Sequence, residues 1–250
     1  MTFRTRTRYG NYLLDRFIQA QGSLGSLDIH ALQLMHGSDP FDALPSRDFI
    51  IFPTTAVVAA QTPMPDGWIS GVSVIGRDKS FGMASFAHPA PIQYRYRTVQ
   101  PGDAVAIHWE DLEPLYQAPR IAPILLDYLN YVVQELSVQA YCISRHAAEA
   151  RTARWLLAVR ARSPLPVVHV THEMLGDCLS LKREVVTGAL ARLATLGAIE
   201  PQHGRIVISN ANALRDSCCT CHDVDRLWEM KWGAEVMVER EGLEPSTPAL

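Results

Sequence analysis

Residues 171–197 carry two helix signals joined by a tight turn, and this pairing constrains the fold more than any other feature of the chain. Thr171 can cap the first helix, and Leu175 and Leu179 lie four residues apart on one of its faces. The segment 182–196 places apolar residues at helical spacing after the turn. The pattern predicts a helix-turn-helix, whose second helix enters the major groove of DNA. The alternative is an ordinary helical hairpin.

The second helix opens with side chains that can read bases. Arg183 can donate two hydrogen bonds to guanine, and Glu184 can accept one from cytosine. Gly197 ends this helix, and residues 200–208 form a predicted β-hairpin, or wing, whose Arg205 is placed to meet a phosphate. The predicted DNA contacts are Thr171, His172, Lys182, Arg183, Glu184, Thr187, Gly188 and Arg205.

Charge is segregated along the chain, although the net charge is only −3. The segment 145–215 holds ten basic and five acidic residues, whereas the remaining residues include 13 basic and 21 acidic ones. A basic module on an acidic chain is typical of a nucleic-acid-binding half. A solvated helical face would give the same charge count. The charge therefore favours DNA binding only together with the helix-turn-helix motif.

The N-terminal half has the pattern of a β domain. Pro65-Asp66-Gly67 and Pro101-Gly102-Asp103 predict turns, because proline presets φ and glycine accepts positive φ. Short apolar or alternating runs between turns favour a sandwich or jelly-roll barrel. The predicted strands are Phe49–Phe52, Thr54–Ala60, Trp68–Ile75, Ile92–Val99 and Ala104–Trp109.

A helix of about 20 residues is predicted after Pro119 and Pro123. Its apolar positions repeat with spacings of four and three residues, which is the period of a coiled-coil seam. We expect this seam to join two copies of the chain, although a helix packed on its own domain is the alternative. The seam residues are Leu125, Leu129, Val132, Leu136, Gln139 and Ile143.

Several motifs together resemble the Crp/Fnr family of bacterial transcription regulators. The resemblance covers residues 11–225 and is strongest around the helix-turn-helix. The C-terminal motif resembles the subgroup of this family whose domains end in Cys-x-Cys-Tyr, with His222 in place of the tyrosine. In the N-terminal half, the stretch 76–83 more loosely resembles that subgroup's Gly-Arg-Glu-Gly-Met-x-Gly segment. The motifs that carry the resemblance are Cys142-x3-His146-x4-Arg151-x2-Arg154-Trp155, Val170–Leu175, Lys182–Thr187, Gly197-Ala198-Ile199, His203-Gly204-Arg205-Ile206 and Cys219-Thr220-Cys221-His222.

This resemblance implies an α+β fold with a cyclic-nucleotide-binding-type jelly roll, a dimerisation helix and a winged helix-turn-helix. We place the β jelly-roll sensor domain at 11–118, the dimerisation helix at 119–145, the DNA-binding domain at 146–225 and a partly disordered tail at 226–250. It also implies a cytoplasmic homodimer on a near-palindromic operator, with RNA polymerase and a small-molecule effector as further partners. A signal on the β domain would set the spacing of the two recognition helices near one DNA turn, about 34 Å.

Departures from the family pattern limit which effectors are expected. Cyclic-nucleotide binders of the family use a glutamate on the ribose, and no glutamate occurs before Glu110. Arg95 or Arg97 is the candidate for the arginine that binds the cyclic phosphate. Cyclic AMP is therefore not the expected effector. The iron–sulfur sensors need an N-terminal cysteine cluster, and the first cysteine here is Cys142, so such a cluster is not expected either.

The C-terminal cysteines receive no functional assignment from the sequence. A Cys-x-Cys pair at 219 and 221 gives one short arm of a metal site, and the second arm would have to come from elsewhere. Cys142 and His146 share a helix face and could ligate a metal, but packing at the domain junction is the favoured interpretation. We therefore predict no metal, no cofactor and no catalytic residue.

Two other functions fit parts of the sequence. His88 and His108-Trp109-Glu110 resemble fragments of a metal-dependent barrel enzyme, which would carry the DNA-binding-like domain as an appendage. A protein–protein adaptor that has lost DNA binding is the other alternative. No signal peptide and no membrane span are expected, because the basic N-terminus lacks an apolar segment after it and no 18-residue apolar run occurs.

Overall fold

The computed structural model describes residues 8–21, 27–83, 94–163, 165–227 and 230. The N-terminal half begins with helix α1 (Tyr12–Gln21), whose buried leucine and phenylalanine side chains form one face. Six strands follow: β1 (Ile29–Leu34), β2 (Phe49–Pro53), β3 (Val57–Pro63), β4 (Ile69–Ile75), β5 (Arg95–Gln100) and β6 (Gly102–His108).

These strands form two three-stranded antiparallel sheets, ordered β1-β6-β2 and β4-β3-β5. The hairpin between β3 and β4 turns at Gly67, whose φ of +85° suits glycine, as the Pro-Asp-Gly signal predicted. Apolar side chains between the sheets form one core, which includes Phe49, Ile51, Val58 and Phe81. The prediction of a double-sheet β domain with a helical C-terminal half is confirmed.

One local prediction for this half was wrong, and two elements were not predicted. The turn predicted at Pro101-Gly102-Asp103 does not form, because Gly102 already begins β6 and β5 pairs with β3 instead. Ile29–Leu34 was not among the predicted strands, although it pairs along its whole length with β6. A helix, α2 (Trp109–Tyr116), was not predicted. His88 and the N-terminal part of the predicted strand Ile92–Val99 lie outside the described residues.

The C-terminal half is built from helices around a small sheet. Its helices are α3 (Ala122–Arg145), α4 (Ala148–Arg162), α5 (His172–Leu179), α6 (Arg183–Thr195) and α7 (Ala211–Asp216). Strands β7 (Val167–His169), β8 (Ile199–Gln202) and β9 (Arg205–Ile208) pair in the order β7-β9-β8. Leu156, Leu175, Leu190 and Ile206 are buried together in the core of this half. Residues 221–227 are also helical.

The two halves share one continuous core. Val57, Ala59, Val74 and Val99 of the sheet β4-β3-β5 belong to the same buried cluster as the helical domain. Gly71 permits the closest approach, since a Cβ atom added there would lie 1.8 Å from the carbonyl oxygen of Cys178 in α5. The helix-turn-helix is therefore packed directly against the β domain.

A buried ion pair crosses the same junction. Arg162 at the end of α4 donates two hydrogen bonds to the carboxylate of Asp78, at 2.9 and 2.7 Å. Tyr131 of α3 donates to the same carboxylate at 2.6 Å. The arginine and the other charges facing it hold the pKa of Asp78 well below its usual range, against the opposing effect of burial. Three elements of the fold thus meet at one carboxylate.

No helix within the described part of the chain is both long enough and apolar enough to cross a membrane.

Candidate nucleic-acid interface

Helix α5 is held at both ends by the interactions that its sequence predicts. The Thr171 side chain accepts a hydrogen bond from the Met174 amide at 3.1 Å, which caps the helix. Gly176 makes room for the second helix, because a Cβ atom there would lie 2.7 Å from the Leu181 carbonyl oxygen. The turn therefore depends on a small residue in α5, as the motif requires.

Ser180 closes the turn in the left-handed conformation. Its φ of 52° and ψ of 49° are unusual for a residue with a side chain, because the left-handed region favours glycine. The Ser180 hydroxyl lies 3.1 Å from the Ser70 hydroxyl of β4, so the two side chains share a hydrogen bond. A contact from the β domain thus supports the strained turn.

The opening turn of α6 faces solvent. Lys182 is the N-cap residue in an extended conformation, and Arg183, Glu184 and Thr187 are exposed. Val186 is fully buried and anchors the same turn to the core. The side chains predicted to read bases are therefore free to meet a groove while the helix beneath them is fixed.

The start of α5 reaches the first turns of α6. His172 Nδ1 lies 2.9 Å from the Thr187 hydroxyl, which itself donates to the Arg183 carbonyl oxygen at 2.9 Å. Gly188, one residue further on, leaves open space apart from the Arg192 side chain. Residues of both helices thus form one surface at the predicted DNA face.

The predicted wing forms a β-hairpin. Strands β8 and β9 pair antiparallel and turn at Gly204, whose φ is +70°. Arg205 is exposed beside the turn, and its Nε donates to the Gln202 side chain at 2.6 Å. The wing places one guanidinium at its tip, which suits a phosphate contact.

The charge count overstated how much positive charge this half exposes. Arg151, Arg154 and Arg162 are buried, so they serve the interior of the protein. Arg154 forms a bidentate ion pair with Asp225 at 2.7 and 3.0 Å, and Arg162 pairs with Asp78. Arg192 is exposed but pairs with Glu149 at 2.6 Å. The positive charge left at the predicted interface comes mainly from Lys182, Arg183 and Arg205.

Helix α3 has two apolar faces, and this corrects the predicted seam at three of its six positions. Leu125 and Val132 are half-buried against the core of their own domain, and Gln139 donates to the Gly71 carbonyl oxygen at 3.4 Å. Leu129, Leu136 and Ile143 are exposed, as a seam requires. The exposed heptad stripe consists of Leu126, Leu129, Val133, Leu136, Ala140 and Ile143.

A pocket lies between the β domain and α3, beside the exposed stripe. It is open to solvent, and Phe81, Tyr94 and Tyr96 line its β-domain wall. Leu129 and Leu136 line the other wall, so pocket and stripe share residues. The Lys79 ammonium at its floor pairs with Glu135 and donates to the Ser73 hydroxyl at 2.9 Å. Burial raises the pKa of Tyr128, another lining residue, to about 12.

Neither arginine suggested for a cyclic phosphate lines this pocket. The Arg97 guanidinium donates to the Gly37 carbonyl oxygen at 2.7 Å. Arg95 and Arg97 instead lie near enough to Asp177 of α5 to lower the pKa of its carboxyl, although burial raises it more. The pocket wall is mainly aromatic and aliphatic.

Four potential metal ligands also meet at the domain junction. The ligand atoms of Cys142, His146, Cys219 and Cys221 all lie within 4.8 Å of one another. A hydrogen bond to Cys219 and burial raise the pKa of the Cys142 thiol to about 12. The sequence predicted no metal here because the two halves of the cluster are far apart in the chain. His108 and Glu110, by contrast, belong to no such group among the residues that the structure describes.

Both the helix-turn-helix segment and the whole fold have relatives among known proteins. Residues 150–217 match the Crp-like helix-turn-helix domain family. FixK2 from Bradyrhizobium japonicum superimposes with a TM-score of 0.57 at 18% identity, covering 77% of this chain and 98% of FixK2. A putative Crp/Fnr-family transcriptional regulator from Eubacterium rectale gives 0.62 at 15% identity, covering 82% and 98%. A CRP-family transcriptional regulator from Thermus thermophilus gives 0.54 at 21%, covering 76% and 96%. A search of curated proteins found no significant match.

These similarities confirm the resemblance predicted from the sequence. The domain match identifies residues 150–217 as a Crp-like helix-turn-helix domain, and the structural likenesses identify the fold of the chain as a whole. The predicted contact residues from Thr171 to Arg205 all fall inside the matched domain.

Proposed function

We propose that this chain, whose helix-turn-helix domain and overall fold are those of Crp/Fnr-type transcription regulators, acts as a homodimer that binds a near-palindromic DNA operator. Within it, residues 11–118 form the sensor domain, 119–145 the dimerisation helix and 146–225 the DNA-binding domain. The protein has no catalytic role in this proposal.

One observation carries the proposal: the opening turn of α6 presents Lys182, Arg183 and Glu184 to solvent on a helix that Val186 fixes to the core. A rigid helix with exposed polar side chains at its N-terminus fits the major groove. Thr171 and His172 at the start of α5 lie on the same surface and can contact the flanking phosphates.

The exposed stripe on α3 supports the homodimer. Leu126 is 67% exposed, Val133 57% and Leu129 52%, which is costly for a monomer in water. The spacing of three and four residues allows two such helices to pack along a common seam. A second copy seated there would also cover the side of the pocket formed by Leu129 and Leu136.

The pocket supports an effector that is largely apolar. Lys79 is the cation among the described lining residues, and its ammonium is already paired with Glu135. A phosphate ligand would have to break that buried pair, whereas an aromatic or aliphatic ligand would pack against Tyr94, Tyr96 and Leu136. Such a ligand would act on α3 directly, because residues of that helix form one wall of the pocket.

The DNA proposal is tested by selecting duplexes from a random library with the full-length protein and measuring affinity for the selected site. Arg183→Ala should weaken this binding by about 10- to 100-fold and relax one base preference, since a bidentate contact to a base is worth about 1–3 kcal/mol. Arg120→Ala, which removes an exposed arginine outside the matched domain, is the control and should bind as the wild type does.

Unchanged affinity of Arg183→Ala, with no change in base preference, would refute the proposed reading of DNA. Binding that does not weaken as salt rises would also count against it, because phosphate contacts release counterions.

For the dimer, Leu129→Glu with Val133→Glu should shift the molar mass measured by light scattering from two chains to one. A wild type that is monomeric at micromolar concentration would contradict the seam.

A further inference from the structure

Two short arms of the chain meet in a buried cluster where the dimerisation helix ends. Cys142 and His146 come from the last turn of α3 and the residue after it, and Cys219 and Cys221 come from the segment that follows α7. The three cysteines are buried and the histidine is partly buried. The contacting pairs Cys142–Cys219 and His146–Cys221 are 77 and 75 residues apart in the chain, so the fold itself assembles the group.

Two of the separations match those at a tetrahedral ion, and all four ligand atoms lie within 4.8 Å of one another. Cys142 Sγ lies 3.6 Å from Cys219 Sγ, and Cys221 Sγ lies 3.6 Å from His146 Nδ1. A zinc ion with Zn–S bonds of about 2.3 Å and a Zn–N bond of about 2.0 Å places its ligand atoms roughly 3.5–3.8 Å apart. A disulfide would require the two sulfur atoms to lie about 2.05 Å apart and would leave the histidine without a role.

The surroundings of the cluster suit thiolate ligands. Arg154 lies near Cys142, and Asp225 fixes its guanidinium through two hydrogen bonds. Arg151 is buried nearby, its guanidinium donates to the Leu179 carbonyl oxygen, and no carboxylate among the described residues forms an ion pair with it. Three thiolates on a divalent ion leave one net negative charge, which the Arg151 guanidinium can balance.

We propose that Cys142, His146, Cys219 and Cys221 form a Cys3His site that binds one zinc ion per chain and clamps the end of the dimerisation helix to the DNA-binding domain. All four positions are taken by protein side chains, which is the arrangement of structural zinc sites. This inference is independent of DNA binding and of the effector.

The experiment is a titration of the reduced, full-length protein with cobalt(II), which reports tetrahedral thiolate coordination in its absorption spectrum. We expect thiolate-to-cobalt charge-transfer bands and intense visible d–d bands that saturate at one equivalent and disappear when zinc is added. Elemental analysis of protein purified with zinc should give one zinc per chain, and zinc should raise the unfolding temperature.

Variants assign the ligands. Cys142→Ser and Cys219→Ser should each weaken zinc binding by more than about 100-fold, because even the loss of an outer-shell partner typically costs 10- to 100-fold. Cys178→Ala is the matched control, since Cys178 is also buried but lies in α5, outside the cluster. It should retain one equivalent of metal.

Three results would overturn the site. They are the absence of tetrahedral cobalt bands in wild-type protein that is folded by circular dichroism, full metal binding in Cys142→Ser, and a Cys142–Cys219 disulfide in protein purified under reducing conditions. The wild-type titration decides the question even if a serine variant fails to fold.

Discussion

The recognition surface, formed by the start of α5, the opening turn of α6 and the wing, uses the same residue types as the domain junction in the opposite way. At the recognition surface, Arg183 is exposed and left available for an outside partner. At the junction, Arg162 is buried and committed to Asp78 and Tyr131. The contrast teaches that an arginine in a basic segment cannot be assigned to DNA from its charge alone, because burial decides whether that charge faces inward or outward.

The two regions also differ in how their parts come together. The recognition surface is made from residues close in sequence, whereas the junction joins residues about 80 positions apart, such as Asp78 and Arg162. Substitutions at the junction should therefore change the stability of the whole fold, and substitutions at the surface should change binding alone. A variant that behaves otherwise would break the comparison.

The largest effect is expected at the buried ion pair. Arg162→Ala leaves the Asp78 carboxylate buried without its bidentate partner, which should lower the free energy of unfolding by about 3–5 kcal/mol. Urea denaturation measures this loss. Arg192→Ala is the matched control, because it breaks an exposed pair with Glu149 and should cost at most about 1 kcal/mol. Equal losses in the two variants would remove the distinction between the regions.

A smaller loss is expected at the close contact between β4 and α5. Gly71→Val places a side chain against the Cys178 backbone and should destabilise the protein by about 1–3 kcal/mol through overpacking. Gly188→Ala is the matched glycine control, because its added Cβ meets only the flexible Arg192 side chain and should stabilise α6 by up to about 1 kcal/mol. If Gly71→Val unfolds at the same urea concentration as the wild type, the two halves are not packed as described.

At the wing, a change in DNA binding without a change in stability is expected. Arg205→Ala should weaken binding to all duplexes to a similar extent and reduce the slope of log affinity against log salt by about 1, since one phosphate contact is lost. The free energy of unfolding should stay within about 0.5 kcal/mol of the wild type, because the side chain is exposed. A sequence-dependent loss would instead mean that Arg205 reads bases.

The smallest effect concerns pH. Burial, and then the neighbouring His36 and Arg205, lower the pKa of His169 below its ordinary 6.5. The unfolded chain therefore binds a proton at His169 more readily than the folded chain does. The contribution of His169 to the free energy of unfolding is complete above pH 6.5 and is lost as the pH falls below that value. His169→Gln should show a weaker fall in stability between about pH 7 and pH 5 by urea denaturation. An identical pH dependence would exclude His169 as a contributor.

The recognition surface could be predicted from the sequence because its signals are local. Thr171 caps α5 through the amide three residues on, and Gly176, Gly197 and Gly204 each stand where a close approach or a positive φ requires them. Each of these interactions spans only a few residues, so periodicity and capping rules were sufficient.

The junction could not be predicted, since its partners meet only in the folded chain. The seam on α3 shows a related limit: both of its faces repeat every three and four residues, so the spacing alone could not tell Leu125 from Leu126. Strand β1 was missed because its polar and apolar residues do not alternate cleanly. Its antiparallel pairing with β6 fixes the strand conformation that its own sequence does not indicate. The proposed metal ligands were likewise visible only as two unrelated pairs.

The hydrogen bond between Ser70 and Ser180 has a consequence for how such a molecule can carry a signal. Ser180 sets the angle between α5 and α6, and the hydroxyl that steadies it belongs to a different domain. The geometry of the proposed DNA-reading surface is thus partly a property of the sheet β4-β3-β5. A small displacement of β4 would change the conformation of the turn between the two helices through this one hydrogen bond. The two domains need not separate for this to happen.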